Sequence, residues 1–296
     1  MSKWLISVPV WGHSYFLIFK NYTAPAIKAA LKGFEEGHQV RFIFHTDMID
    51  EMRHLWYGYN VEIRNVGKKP TYVTLQESHG DAVSSARIDE RICLLNSDIV
   101  ISRNMFYKCE EHILAGKQAI VTSGIRTAYS KELEYPIGEE PRKLLEWAWE
   151  HRHQIIRDLE WGSGQSMIPT NLFFTSVGNV VLRGFHLHPI VVLKKVPISF
   201  ISTIDGDLLE HFPRDSIHVV TSPDDVSMLE ISEPTRRFPI GRDLTPAAVA
   251  ISMKSRASIL HQWLFNHRIV IKGDGTGCDD VSVVKEILNY MGYKYA

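Results

Sequence analysis

Two rhythms of apolar and polar positions alternate along the first 125 residues. Residues 4–10 (WLISVPV), 39–47 (QVRFIFHTD), 97–102 (SDIVIS) and 118–124 (QAIVTSG) are short, largely apolar runs without strict alternation, and 60–67 (NVEIRNVG) reads as a further strand. That is the pattern of strands covered on both faces. Between them the spacing is helical. Ala26, Ile27, Ala30, Leu31 and Phe34 recur on one face of residues 21–37, with Gly37 as the stop, and residues 48–58 form a short amphipathic segment. A long helix is predicted from Tyr72 to about Leu95, and another over 105–116, ending at Gly116. This order predicts an α/β chain whose parallel sheet is covered by helices on both faces.

The pattern changes after residue 130. Residues 131–162 read as a helix that buries Leu144, Leu145, Trp147, Ala148, Ile155 and Ile156. Residues 171–193 read as a hairpin turning at Val177, Gly178 and Asn179, and strands continue at 199–205 and 216–221. The tail returns to helix over 245–271, with Thr245 and Pro246 as N-cap and first helical residue. No repeat or low-complexity linker interrupts the chain, so one compact domain over 1–296 is expected, in three stretches: 1–130, a β-rich 131–244 and a helical 245–296.

Composition narrows the function classes. Lys plus Arg number 33 against 34 for Asp plus Glu, a net charge of -1, so no global field draws the chain to nucleic acid or an anionic membrane. Cys93, Cys109 and Cys278 have no CxxC spacing and are odd in number, which argues against a disulfide framework or structural zinc and fits a reducing cytoplasm. The first residues lack the form of a signal peptide, and no segment approaches the ~20 apolar residues of a membrane span. A cytoplasmic location is expected.

Ligands of open α/β sheets bind beyond the carboxyl ends of the strands, and four such ends here are polar: VPVWGHSY, FHTD, SRN and SGIRTAY. Pro9 and Gly12 make a rigid turn with exposed backbone donors, Trp11 and Tyr15 offer faces for a base or sugar, and Thr46 and Asp47 offer oxygens for ribose hydroxyls. Arg103 or Arg126 suits a phosphate. Each has a plainer role as well: Asp47 as a helix cap, Trp11 as core, either arginine in a surface ion pair. In RGFHLHP and TIDGD, His186 with His188 and Asp205 with Asp207 each stand two apart. On extended chain each pair would project to one side. Together they make a candidate set for Mn²⁺ or Mg²⁺, and the alternative is a core histidine and a strand-ending turn. Asp224 and Asp225 in SPDDV fit a turn better than a base. The chain has no GxGxxG, GxxxxGK[ST], GxSxG or HExxH.

The succession VPVWGHSYFLIFKNYTAPAI, FHTD, SDIVIS, AGKQAIVTSGIRT, RGFHLHP and TIDGD resembles a group of bacterial and phage proteins related to nucleotide-sugar glycosyltransferases of the GT-A fold, over residues 8–230. The resemblance implies a Rossmann-like, GT-A-type mixed sheet with helices on both faces and a β-rich carboxyl-terminal half. It implies a donor-binding half over 1–130, with an acceptor and catalytic half over 131–244. It implies transfer of a hexosyl or pentosyl group from a nucleotide sugar, a UDP-sugar, to a hydroxyl acceptor. That acceptor is a glycan or, as phage proteins share the motifs, a hydroxylated nucleobase in DNA. On this reading Pro9, Val10, Trp11, Gly12, Tyr15, His45, Thr46 and Asp47 border the donor base and ribose. Ser102, Arg103, Asn104 and Arg126 serve its phosphates. Asp205, Asp207 and His188 are catalytic, and His186, His188, Asp205 and Asp207 are the metal ligands. One departure stands out. GT-A enzymes hold their metal with an Asp-x-Asp at the end of the fourth strand, where DIVISRN has its acid, Asp98, at the start. A binding protein that has lost the reaction, and a metal-dependent hydrolase using HLH and DGD, are the rival readings. Oligomeric state is not written in the sequence.

Overall fold

The computed structural model describes residues 1–67, 71–199, 203–237, 239–241 and 243–293. In chain order its elements are β1 (Lys3–Val10), α1 (His13–Ile18), a π-helical turn (Phe19–Thr23), α2 (Ala24–Leu31), β2 (Gln39–Thr46), α3 (Ile49–Leu55), β3 (Val61–Asn65), α4 (Thr71–Ser85), β4 (Arg91–Leu94), β5 (Ile99–Ile101), α5 (Met105–Leu114), β6 (Ala119–Thr122) and β7 (Gly124–Ala128). There follow α6 (Pro141–Glu150), α7 (Gln154–Arg157), β8 (Asn171–Ser176), β9 (Asn179–Gly184), β10 (His188–Leu193), β11 (Ile217–Val219), β12 (Met228–Ser232), α8 (Pro246–Met253), α9 (Ile259–Phe265), β13 (Ile269–Lys272) and α10 (Val281–Met291). The chain divides into two compact units. The first comprises Met1–Thr122, Ile137–Glu139 and His188–His218, and the second Ser123–Pro136, Glu140–Leu187 and Val219–Ala296.

The first unit is built on a seven-stranded sheet of order β11-β6-β10-β4-β1-β2-β3. β1 pairs in parallel with β2 and β4, β2 in parallel with β3, and β10 antiparallel to both β4 and β6, so the sheet is mixed. Parallel partners present their side chains on the same side. Ile6 and Val8 stand beside Phe42 and Phe44, whose rings pack on Trp56, and Phe19 joins Phe44 at 5.7 Å. Trp4, further along that face, meets Phe34 and Phe106 edge-on at 5.3 and 5.5 Å. Helices α1, α2, α3 and α5 therefore cover one face. The other carries Ser7, Pro9, Ile43 and His45, and α4 lies over it. The π-helical turn falls just before Pro25, which has no N–H to donate and whose ring crowds the preceding turn.

Cations hold the end of α4. Buried Lys194 donates to Val83 O (2.7 Å) and Ser84 O (3.1 Å), and Arg41 donates to Ser85 O (3.1 Å). They satisfy carbonyls that have no helical partner and complement the negative end of the helix. Burial lowers the Lys194 pKa, with Glu90 opposing. Lys194→Met should therefore cost about 1–2 kcal/mol in urea unfolding, because it removes both bonds while keeping most of the apolar stem.

Two sequence expectations change here. The helix predicted to reach Leu95 ends at Ser85, and β4 occupies Arg91–Leu94. Apolar RICLL fits a buried strand as well as a helix face, and Arg87, Asp89 and Glu90 hold the intervening turn, with Arg87 N donating to Glu90. The strand expected over 199–205 lies partly outside the described residues, and Ile204 to Asp207 form a turn.

In the second unit β8 and β9 form the predicted hairpin, β13 adds antiparallel to β9, and β7 pairs in parallel with β12. Phe185 and Phe265 stack at 3.8 Å in a core shared with Leu172, Val249, Met253, Ile287 and Leu288. The helix expected over 131–162 is confined to α6 and α7, and the one expected over 245–271 breaks into α8, α9 and β13. No helix of the described residues is long and apolar enough to cross a membrane.

Candidate functional site

The strand order reverses at β1. The chain moves from β1 to β2 and β3 on one side, then returns to place β4 on the other. A crevice at such a switch point is where open α/β sheets bind ligands. Its rim is the stretch after β1 and the stretch after β4.

After β1, Gly12 takes φ +77 and ψ 145, a conformation available to few other residues, and its N–H donates to Asp47 Oδ1 at 3.0 Å. Trp11 and Tyr15 stand 6.2 Å apart, both half-buried. Pro9 and Val10 are buried in β1, beside His45 and Thr46 of β2. Thr46 Oγ1 accepts from Met48 N (2.9 Å), so this buried hydroxyl organises the turn into α3. Ser102, Arg103 and Asn104 follow β5 into α5. Ser102 is buried, Arg103 is exposed with its N–H on Glu139 O, and Asn104 is the N-cap residue. Arg126 lies in the second unit and binds Glu230 and Ser232.

The fourth strand in chain order is β4, not residues 97–102, and this moves the position an Asp-x-Asp would occupy. Beyond Leu94 and Leu95 stand Asn96, Ser97 and Asp98. Asp98 is buried, and Asn96 Oδ1 is buried with no hydrogen-bond partner within the protein. Thr23 Oγ1 donates to Ser97 O, and Ile99 N to Asn96 O, which fix the turn.

The histidine pair does not share a strand face. Residues 185–187 bend, and the bend breaks the alternation on which the expected convergence rested. His186 belongs to the second unit and stacks on His261 at 4.6 Å. Gly184 is fixed by packing, since a Cβ there would lie 2.6 Å from Leu187 and 2.7 Å from Asn171 Oδ1. His188 begins β10 in the first unit and hydrogen-bonds Leu94 O through Nε2 at 2.7 Å. Pro189 coincides with an irregularity in the β10–β6 register. Asp205 bonds Thr203 Oγ1, and Asp207 is the N-cap residue of a short 3₁₀ turn, Leu208–His211. Within the first unit no three of His45, His79, Asp98, His188, Asp205 and Asp207 bring ligand atoms within 4.8 Å of one another. As arranged, these residues form no three-ligand cluster within the first unit.

What the first unit assembles instead is a polar layer between α4 and the sheet. His45 Nε2 donates to Asp81 Oδ2 at 2.7 Å, and Arg64 binds the same carboxylate and also Glu62 and Ser85. Burial raises the Asp81 pKa, but the bonds from His45 and Arg64 outweigh this and hold it below the usual carboxylate range. Burial lowers His45, against the raising effect of Asp81. Next to Ser78 on α4, His79 is 2% exposed, and burial pushes its pKa down to about 3. The His188 and His45 imidazoles act in the same direction, while its bond to Leu95 O and the Asp205 carboxylate oppose. A groove of about 250 Å³ opens over this layer, lined by His45, Arg64, Asn65, Thr74, Ser78 and Asp81 among others. Only His45 was singled out in the sequence. Ser78, His79 and Asp81 sit in ESHGD, a polar patch within a helix that carries no motif.

No protein-family model and no curated protein matches the sequence. Solved structures are similar to the chain at low sequence identity. S. aureus TarS 1–349 is 9% identical with a TM-score of 0.40, covering 97% of this chain and 71% of that one. The same fragment in complex with UDP is 9% identical, with a TM-score of 0.38 and coverages of 98% and 70%. The galactosyltransferase LgtC, in complex with donor and acceptor sugar analogs, is 10% identical with a TM-score of 0.35, covering 97% and 95%. These likenesses concern the general α/β fold.

Proposed function

We propose that the chain transfers a glycosyl group from a nucleotide sugar, a UDP-sugar, to the hydroxyl of an acceptor glycan. The observation that supports this reading is the reversal of strand order at β1, where Gly12 and Asp47 follow β1 and β2 and Asn96 and Asp98 follow β4, together with the groove lined by His45 and Ser78. The Trp11 and Tyr15 rings offer apolar faces to the nucleobase. In the transfer the bond between the anomeric carbon and the diphosphate oxygen breaks, and a new one forms to the acceptor oxygen. The leaving nucleoside diphosphate keeps the bonding electrons, and a base takes the acceptor proton. Asp205 is the proposed base, near enough to His79 for its charge to act on that imidazole. His188 is a positioning residue that holds the carbonyl of Leu94, two residues before Asn96. Near-neutral net charge favours a glycan over a base in DNA as acceptor.

Thermal unfolding with a panel of nucleoside diphosphates and nucleotide sugars tests the donor site. A ligand at 100 times its dissociation constant should add about 2.7 kcal/mol of stability. A shift with one nucleotide family, together with loss of sugar transfer in Asp205→Asn, is the expected result. Absence of any shift across the panel would remove the donor site and the transfer with it.

A further inference from the structure

Four buried polar atoms in the layer under α4 have no hydrogen-bond partner within the protein: Ser7 Oγ, His45 Nδ1, Ser78 Oγ and His79 Nε2. All four residues are at most 5% exposed. Their placement follows from the fold. Ser7 and His45 point to the same side of neighbouring strands, since Ser7 pairs with Ile43 and His45 stands two residues on. His79 is tied to the end of β4 through Leu95 O, and Asp81, three residues past Ser78, is bonded to His45. Buried polar groups of folded proteins are nearly always partnered, and four on the facing sides of β1, β2 and α4 mark a place built to be filled.

The proton inventory says by what. A carboxylate only accepts, so His45 Nε2 carries the proton toward Asp81 and Nδ1 is a bare lone pair. Leu95 O also only accepts, so His79 donates from Nδ1 and its Nε2 is likewise a lone pair. Burial keeps both rings neutral. The layer thus offers two acceptors, on His45 and His79, and two hydroxyls, on Ser7 and Ser78, that can donate. A phosphate or carboxylate has no proton for the imidazoles, and an ammonium has no lone pair for the serines.

We propose that Ser7, His45, Ser78 and His79 form a subsite for a vicinal diol, whose two O–H groups donate to the imidazole nitrogens while its oxygens accept from the serine hydroxyls. The groove lined by His45 and Ser78 is its approach. This rests on the donor reading above, and the diol belongs either to the ribose of the nucleotide or to the sugar being transferred.

Calorimetric titration of the full chain separates the cases. Ribonucleoside diphosphates are compared with their 2′-deoxy forms, and UDP-glucose with UDP-2-deoxyglucose, on wild type and on Ser78→Ala and Ser7→Ala. Serine to alanine is a small change that leaves the fold in place, and circular dichroism checks it. Losing one hydroxyl of the diol should weaken wild-type binding by about tenfold or more. The penalty should shrink to within a few-fold in Ser78→Ala. A penalty confined to the ribose identifies the nucleotide as the source, and one confined to the hexose identifies the transferred sugar. Equal affinity of the hydroxylated and deoxy forms in wild type overturns the diol subsite and leaves the donor reading standing. If no nucleotide or nucleotide sugar binds at all, both fall.

Discussion

Replacing Asp280 with alanine is expected to lower the stability of the chain by about 3–5 kcal/mol, the largest effect of any single substitution considered. Its carboxylate is fully buried and faces two guanidinium groups. Arg183 approaches at 2.6 and 2.8 Å, and Arg268 at 3.1 Å. Arg183 is itself only 5% exposed. Removing the acid leaves the buried Arg183 guanidinium without its carboxylate and beside a second cation, Arg268, that is about a third exposed, and the cost is mostly that of the stranded Arg183 charge. Asp280 also stands at the start of α10, but its side chain makes no capping bond there. Asp280→Ser, which places a favourable N-cap residue there without the charge, should therefore be nearly as unstable as alanine. Urea unfolding of the three proteins checks this. A loss below about 1 kcal/mol, or rescue by serine, would mean that the arginines find other partners.

Acid should destabilise the protein well above the range in which carboxylates titrate. His79 binds a proton near pH 6.5 when unfolded but only near 3 when folded. Below about pH 6.5 the unfolded state therefore holds more protons, and stability falls as pH falls, until the folded state also protonates near pH 3. The difference amounts to about 3 kcal/mol between pH 7 and pH 4.3. His45, His153 and His267 are also lowered by burial and add to the same trend. Unfolding free energies measured across this range should drop steeply in wild type and less steeply in His79→Gln, which cannot take up a proton. Parallel profiles for the two proteins would show that His79 is not the source.

Much of the first unit was readable in advance for a simple reason. The strands of a sheet buried on both faces must be apolar throughout, so β1, β2 and β6 show as unbroken runs, and the helices between them show their 3.6-residue stripe. The hairpin of β8 and β9 was equally plain, because Gly178 supplies the positive φ (+76) of its turn. Less readable was β4, whose four residues share their composition with the end of a helix. That omission moved the fourth strand to residues 97–102 and hid Asn96 and Asp98, which follow a sheet strand at the switch point only because β4 stops at Leu94.

The candidate site divides along the same line. Local chemistry determined that turns follow β1 at Gly12 and β2 at Asp47, while the parallel pairing of β1 with β2 brings the Gly12 N–H onto the Asp47 carboxylate. Tertiary structure alone decided the rest. His186 and His188 look like one pair, but the bend at 185–187 sends them to different units, and period-two projection holds only while the chain stays extended. Ser7, His45 and His79 look like a strand serine and two scattered histidines. They become one layer because β1, β2 and α4 pack face to face, a relation between residues up to 72 positions apart that no window of the sequence contains. Hydrophobic periodicity determined which residues are buried in each element. Which buried polar groups meet was decided by strand order, because strand order sets which faces oppose each other.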